Sequence, residues 1–463
     1  MFRLLILFCS ICSVICSKEC WNWQNIDVSE MTFPKDFLWG TAIAEYQNSG
    51  ALVCKYSNWA NWEKNPNNIS DGQKSGKSCD HWHNIKRDIN LMKKLGVNSF
   101  RFSVDWSCIE PREGVFSKKA LGHYEKLIHN LLKDNITPMV TLHHFTHPAW
   151  FDKKGGFENE ENIYYFVRFA KFVIQKFQGS VKLWCTINEP AIYPFMAYVL
   201  GKFPPGKTRE FSLAGIYLKN LLNAHVQVYK EVKNDTSYDS DIKIGMVHNV
   251  LQFKPYHWWN LIESIPSYYL SHITHDVVMN FFKTGQFRYS IPLYASINSV
   301  NCDAMTSLDF IGLNYYSSPL IKLKMSISEP MGSSCYPNQR MTDAGYYNFR
   351  LFPEGLADAI DEISTLNVPI YITENGIPDN NDTYRDEFIK KYLYALNCSI
   401  KKGKDVRGYF YWTLTDNFEW NEGNNVKFGL FEKHPIVNKY LIKEGGKAYR
   451  EVIKNWKIKT CLK

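Results

Sequence analysis

Two glutamates stand at the ends of two similar runs. "LWCTINEP" (183–190) places Glu189 just past the apolar, β-rich run 183–187, and "PIYITENG" (369–376) places Glu374 just past the run 369–373. Each has an asparagine beside it, Asn188 and Asn375. A carboxyl group donates a proton when neutral and acts as base or nucleophile when ionised. Two that converge can share one reaction: the first protonates a leaving oxygen while the second meets the cation-like carbon, which is the chemistry of glycosidic cleavage. A single loop glutamate is usually just a solvated side chain. The pair carries meaning only if the fold brings the two together.

A repeated strand–helix unit would position them. Eight strand-sized runs occur in order: "FLWGTA" (37–42), "SFRFSV" (99–104), "PMVTLH" (138–143), "LWCTI" (183–187), "IKIGMV" (242–247), "FIGLN" (310–314), "PIYIT" (369–373) and "GYFYWT" (408–413). Helical patterns separate them. "IKRDINLMKKLG" sets Ile85, Ile89, Met92 and Leu95 on one face, and "ALGHYEKLIHNLLKDN" and "NIYYFVRFAKFVIQKF" behave alike. Strands alternating with helices build a parallel sheet with helical crossovers. Eight such units predict an α/β fold, a (β/α)₈ TIM barrel. An open doubly wound sheet that held a nucleotide would need a GxGxxG first turn, and "GTAIAEYQNSG" lacks that spacing.

A barrel carries its chemistry at the C-terminal ends of its strands. Gln47 follows the first run, Arg101 lies within the second, and His143 and His144 end the third. Asn188 and Glu189 follow the fourth, Asn314 and Tyr316 end the sixth, and Glu374 follows the seventh. Trp412, Glu419 and Trp420 accompany the eighth. Strands four and seven lie three steps apart around the ring, so carboxylates on their tops can converge across its mouth.

Composition bounds the alternatives. The 463 residues are 45% hydrophobic, enough for a large core. Aromatics reach 15%, with 14 Trp and 28 Tyr; rings suit stacking on sugar faces, although large cores use them too. Lys plus Arg exceeds Asp plus Glu by 54 − 46 = 8, but the excess is scattered and its densest cluster is the short "KKGK" (401–404). No basic stripe or zinc-finger spacing appears, which argues against a nucleic-acid partner. "MFRLLILFCSICSVICS" (1–17) has one early cation and an apolar stretch too short to span a bilayer. It reads as a secretory signal, leaving 18–463 as one domain, secreted or lumenal/periplasmic, with no stable membrane insertion. Of 12 cysteines, 3 lie in that leader; the other 9 contain no CxxC pair, so no metal is implied. Cys185, inside the fourth run, is expected to be a buried thiol.

"TINEP" and "ITENG" resemble the two signatures of the family 1 glycoside hydrolases, a β-glucosidase family of (β/α)₈ barrels. "FPKDFLWGTA", "FRFSVDW", "TLHHF", "DFIGLNYY" and "YFYWTLTDNFEWNEG" resemble its other motifs in the right order along nearly the whole mature chain. The resemblance implies a retaining mechanism on a β-glycoside, with Glu374 as nucleophile and Glu189 as acid/base. Arg101 and Tyr316 would be partners of the nucleophile, and Asn314 would support the site. Gln47, His144 and Glu419 would bind ring hydroxyls and Asn188 the 2-hydroxyl. Trp412 would form an apolar floor and Trp420 would add an indole donor. No cofactor is implied. β-Glucosides come first as substrates, with β-galactosides and β-fucosides open. The partner is a small-molecule or oligosaccharide β-glycoside; the oligomeric state is left open. A silent sugar- or partner-binding protein on the same fold, or a transglycosidase, are the other readings. Receptor-like members typically lose one catalytic glutamate, and this chain keeps both.

The pattern bends at three places. The family's "QIEG" reads "QNSG" with Ser49, its "HWDLP" reads "HFTHP" (143-HHFTHP-148), and its "EGY" reads "EGN" at Glu422 to Asn424. These changes are expected to act on sugar preference. Trp420 stands where phosphoglycosidases of the family carry a serine, so the resemblance implies an uncharged hexose. His143 and Trp106 are read as structural.

Overall fold

All eight runs form strands, each within two residues of its expected bounds. In chain order they are β1 (Leu38–Ile43), β2 (Ser99–Ser103), β3 (Thr137–His143) and β4 (Leu183–Asn188), then β5 (Lys243–Asn249), β6 (Phe310–Asn314), β7 (Ile370–Asn375) and β8 (Val406–Trp412). Consecutive strands pair in parallel, and β8 closes on β1 with Leu38 opposite Gly408. The result is a closed eight-stranded barrel. This computed structural model describes residues 21, 23–324, 331–337, 339–342, 349–434, 436 and 439–461; the expected leader lies outside them.

The helices form for the reasons the sequence suggests. In helix Ile85–Leu95 the four spaced residues Ile85, Ile89, Met92 and Leu95 are all buried. Each fully buried side chain of this kind contributes about 1.5–3 kcal/mol. Gly96 ends that helix in the left-handed region (φ 81°), and its N–H bonds the carbonyls of Met92 and Lys93. Ser117 caps helix Lys118–Lys133 by accepting from the Ala120 N–H. Helix Ile163–Phe177 buries eight apolar side chains against the barrel.

Two irregularities re-aim the chain at the barrel mouth. The pairing of β4 with β5 slips between Cys185 and Asn188, just before Glu189. The pairing of β7 with β6 slips between Ile372 and Glu374. An extra residue in one strand bends it and redirects its side chains. Both irregularities sit where a glutamate must turn inward. Glu374 proves to lie within β7 rather than after it. Gly376 follows at a point where a Cβ would collide with the Trp412 carbonyl of β8, so "TENG" needs its glycine for backbone approach.

Several elements lie outside the eight repeats. The hairpin Gln286–Ile291 with Ala295–Val300, and the sheet of Lys254–Pro255, Leu320–Leu323 and Met331–Ser334, flank β6. Among the described residues, no helix is long and apolar enough to cross a membrane. Cys185 is fully buried, and burial pushes its thiol up to about 11.

Candidate active site

The two glutamates meet in one cleft of about 710 Å³ at the C-terminal end of the barrel. Their surroundings differ. Glu374 receives Arg101 Nη1 on Oε1 at 2.5 Å and the Tyr316 hydroxyl on Oε2 at 2.7 Å. Among the described residues Glu189 receives neutral amides only: Asn314 Nδ2 at 2.7 Å and Asn249 Nδ2 at 3.0 Å, both on Oε1. Burial first, then the negative charge of Glu374, raises the Glu189 carboxyl to about 8; Asn314, Arg101 and Asn249 oppose that rise. Tyr316 is pushed up by burial and by the neighbouring Glu374 charge, so it keeps its proton and donates.

Arg101 organises the floor. Besides Glu374 it donates from Nη2 to Asn188 Oδ1 at 2.7 Å and from Nε to Thr141 Oγ1 at 3.2 Å. A guanidinium only donates, so the Asn188 amide must turn its oxygen to Arg101 and its NH₂ outward. That NH₂ lies 3.2 Å from His144 Nε2, which therefore accepts. Burial and then the Arg101 charge hold the His144 imidazole well below its ordinary range, hence neutral, with its proton on Nδ1. Nδ1 has no partner among the described residues. A similar chain fixes Asn314. The Thr373 hydroxyl bonds Asn314 Oδ1 at 2.7 Å, leaving the Asn314 NH₂ for Glu189.

The remaining predicted residues fall around these two groups. Glu419, Trp412, Trp420, His144 and Asn188 line the cleft. Gln47 is fully buried behind Glu419, donating to Glu419 Oε2 at 2.8 Å, while its own Oε1 is unpartnered among the described residues. An orphaned buried acceptor beside a carboxylate suits a ligand rich in hydroxyls. The His144 ring stacks near Trp412 and Trp420, with centroids 5.8 and 6.1 Å away. His143 is buried among Phe157, Phe166 and Tyr193, and the Trp106 indole bonds Glu110; both act structurally.

Three cleft residues hold non-glycine left-handed backbone: Phe145 (φ 64°), Glu189 (φ 47°) and Trp420 (φ 47°). Each such conformation costs about 1–3 kcal/mol and persists only where the surroundings enforce it. At Glu189 the enforcing bond is its N–H to the Val247 carbonyl, 2.8 Å.

The three motif departures take different places around the cleft. Ser49 is buried against Glu45 and the Trp82 N–H, and His147 against His143 and Asp152; neither lines the cleft. Asn424 hangs its N–H on Asp71 at the surface. Of the departures named, Phe145 lines the cleft. Asn249 and Thr373 were not singled out by sequence. Asn249 ends β5 two residues past the apolar run, and its polarity masked the strand's last turn outward.

A sequence profile of Glycosyl hydrolase family 1 matches residues 29–458. The chain belongs to that family. Family 1 relatives include a β-glucosidase A of Acetivibrio thermocellus, 31% identical over 92% of this chain and 99% of its own. A β-glucosidase A of Thermotoga maritima is 30% identical over 91% and 98%. A solved β-glycosidase from Pyrococcus horikoshii superposes with a TM-score of 0.79 at 32% identity, covering 92% of this chain and 96% of that one. As a family 1 member the chain is a glycosidase on a TIM barrel, and solved Thermotoga maritima β-glucosidase complexes hold glucoimidazole and a galacto-hydroximolactam.

Proposed function

We propose that this family 1 glycosidase hydrolyses β-glucosides with retention, through a covalent intermediate on Glu374, with Glu189 as acid and then base. The contrast between the two carboxyl environments carries this reading. Glu374 has a cation and a phenol aimed at its two oxygens, donors suited to a carboxylate. Glu189 has, among the described residues, only amides on one oxygen and is raised to about 8, so it holds a proton at neutral pH. When Glu374 becomes an uncharged ester, the charge that helps raise Glu189 vanishes, and Glu189 can release its proton to become the base. Asn188, His144, Gln47, Glu419 and Trp420 would bind the ring hydroxyls, with Trp412 beneath. The inhibitors held by the Thermotoga maritima relative include gluco- and galacto-configured ones, so β-galactosides belong on the test panel. The leader at 1–17 supports secretion, leaving 18–463 as the mature chain.

The acid requires its proton, which fixes the pH dependence. Glu189 is protonated below its raised value and loses the proton as pH rises through about 8. The profile of kcat/KM on an aryl β-glucoside therefore falls on that alkaline limb, since kcat/KM reports the free enzyme. Activity that keeps rising past that pH would contradict the assignment. A second expectation concerns Tyr316→Phe. It removes one donor to a charged oxygen, worth about 1.5–3 kcal/mol, so kcat/KM should fall about 10- to 100-fold while the fold is retained. Thermal unfolding and steady-state assays on the same preparation check both parts.

A further inference from the structure

Two cysteines from neighbouring loops meet at the C-terminal end of the barrel. Cys54 lies in the segment after helix Glu45–Ser49, which follows β1, and Cys108 lies in the short helix Trp106–Ile109, which follows β2. Their sulfurs and a carboxylate oxygen of Asp105 all lie within 4.8 Å of one another, and the Cys54 thiol hydrogen-bonds Cys108. Both backbones are fixed. The Cys54 N–H bonds the Gly50 carbonyl at 3.0 Å, and the Cys54 carbonyl accepts from the Ser57 N–H at 3.1 Å. The Cys108 N–H bonds Asp105 Oδ1 at 2.9 Å. Cys54 is fully buried and Cys108 half-buried, so Cys108 is the sulfur that solvent reaches.

The surroundings indicate what these sulfurs do. Burial first, then the hydrogen bond to Cys108 and the Asp105 charge, hold the Cys54 thiol well above its ordinary range. The bond from Cys54 lowers Cys108, but burial and the charges of Asp105 and Glu45 outweigh it and raise that thiol to about 11. A cation held here would need both sulfurs ionised beside two buried carboxyl groups, and Asp105 already serves the Ser107 hydroxyl and the Cys108 N–H. A disulfide carries no charge and needs no hydrogen bond, so it suits the same buried space. The segment it would tie joins two parts of the cleft wall. It runs from the helix of Gln47 to helix Asn58–Trp62, whose Trp59 ring packs 4.8 Å from that of Trp420.

We propose that Cys54 and Cys108 form a disulfide that ties the loop after β1 to the loop after β2. The oxidant is a small external disulfide such as glutathione disulfide. The Cys108 thiolate attacks it, leaving a mixed disulfide on Cys108 and releasing one glutathione. The Cys54 thiolate then attacks the Cys108 sulfur, which forms the Cys54–Cys108 bond and releases the second glutathione. Two thiol protons and two electrons thus pass to glutathione disulfide. The sulfurs must close to about 2.05 Å, which takes a side-chain rotation. The secretory reading of 1–17 supplies an oxidising compartment in which such a bridge persists; the contact itself does not depend on that reading.

The test equilibrates the full folded chain in a glutathione/glutathione disulfide buffer, which stands in for the compartment. Free thiols are then alkylated under denaturing conditions and the chain is digested with trypsin without reduction. The expected product is "DFLWGTAIAEYQNSGALVCK" (36–55) joined to "FSVDWSCIEPR" (102–112), two hydrogens lighter than the sum of the pair. Reductant should lower the Tm of the wild type by about 2–5 °C, the scale for a closed loop of 108 − 54 = 54 residues in a chain of this size. In Cys108→Ser, and in Cys54→Ala, that reductant-dependent part should be gone; a mere packing loss would leave it in place. Both peptides recovered alkylated, or Cys108 carrying glutathione with Cys54 free, overturns the bridge. So does an equal reductant shift in wild type and variants, or one zinc ion per chain that is released when the two thiols are alkylated.

Discussion

Glu374→Gln should lower kcat on an aryl β-glucoside by about 10⁴-fold or more, the scale of loss when a covalent nucleophile is removed. The substitution keeps the shape of the side chain. Its carbonyl oxygen can still accept from Arg101, and its NH₂ can donate to a rotated Tyr316 hydroxyl. What disappears is the charge that would attack the anomeric carbon. Arg101 is then left without its buried counter-charge, 1% exposed, so some stability goes too, about 3–5 kcal/mol if nothing relaxes. Thermal unfolding separates that loss from the kinetic one. A shorter variant sharpens the assignment. Glu374→Gly leaves a hole where the carboxylate stood, and a small anion such as azide can attack the substrate from that side. The expected product is the α-glycosyl azide; a β-glycosyl azide would place the nucleophile elsewhere.

Glu189→Ala should give a different signature. Without the acid, substrates with poor leaving groups lose about 10²–10⁴-fold in kcat/KM, the usual range for general acid catalysis. A dinitrophenyl glycoside, whose leaving group departs without a proton, should lose much less at this step. The second step then lacks its base, so the glycosyl-enzyme accumulates and the apparent KM falls. Added azide should restore turnover and yield the β-glycosyl azide. The alkaline limb near pH 8 should vanish with the carboxyl that causes it. An unchanged limb would assign it to another group.

Much of this site was legible because a barrel puts chemistry at strand ends, where an apolar run stops at a polar residue. The same rule hid the rest. The run in β5 seemed to end at Val247, yet the strand continues through His248 to Asn249, whose amide holds Glu189. Glu374 likewise lies inside β7. Strand ends are underread where the terminal residues are polar by function, so hydrophobic periodicity fades one or two residues too early. The irregular pairings before Glu189 and Glu374 leave no sequence trace of their own. Ser49 and His147 looked like parts of the sugar site by adjacency to Gln47 and His144. Their side chains turn away because the chain leaves the strand there, and alternation no longer predicts which side faces the cleft. The segment of helix Leu261–Ser271 was not singled out in the sequence, and its inward face is set by the backbone amides of His257 and Leu323, which bond the Glu263 carboxylate.

The most direct test is to trap the intermediate. A 2-deoxy-2-fluoro-β-glucoside with a good leaving group slows both steps, the second more, and should inactivate the enzyme with one sugar attached. Peptide mass spectrometry should find that sugar on Glu374, in the segment "PIYITENG". A sugar on any other residue, or steady hydrolysis of the β-glucoside with no labelled peptide, would contradict a retaining mechanism through Glu374.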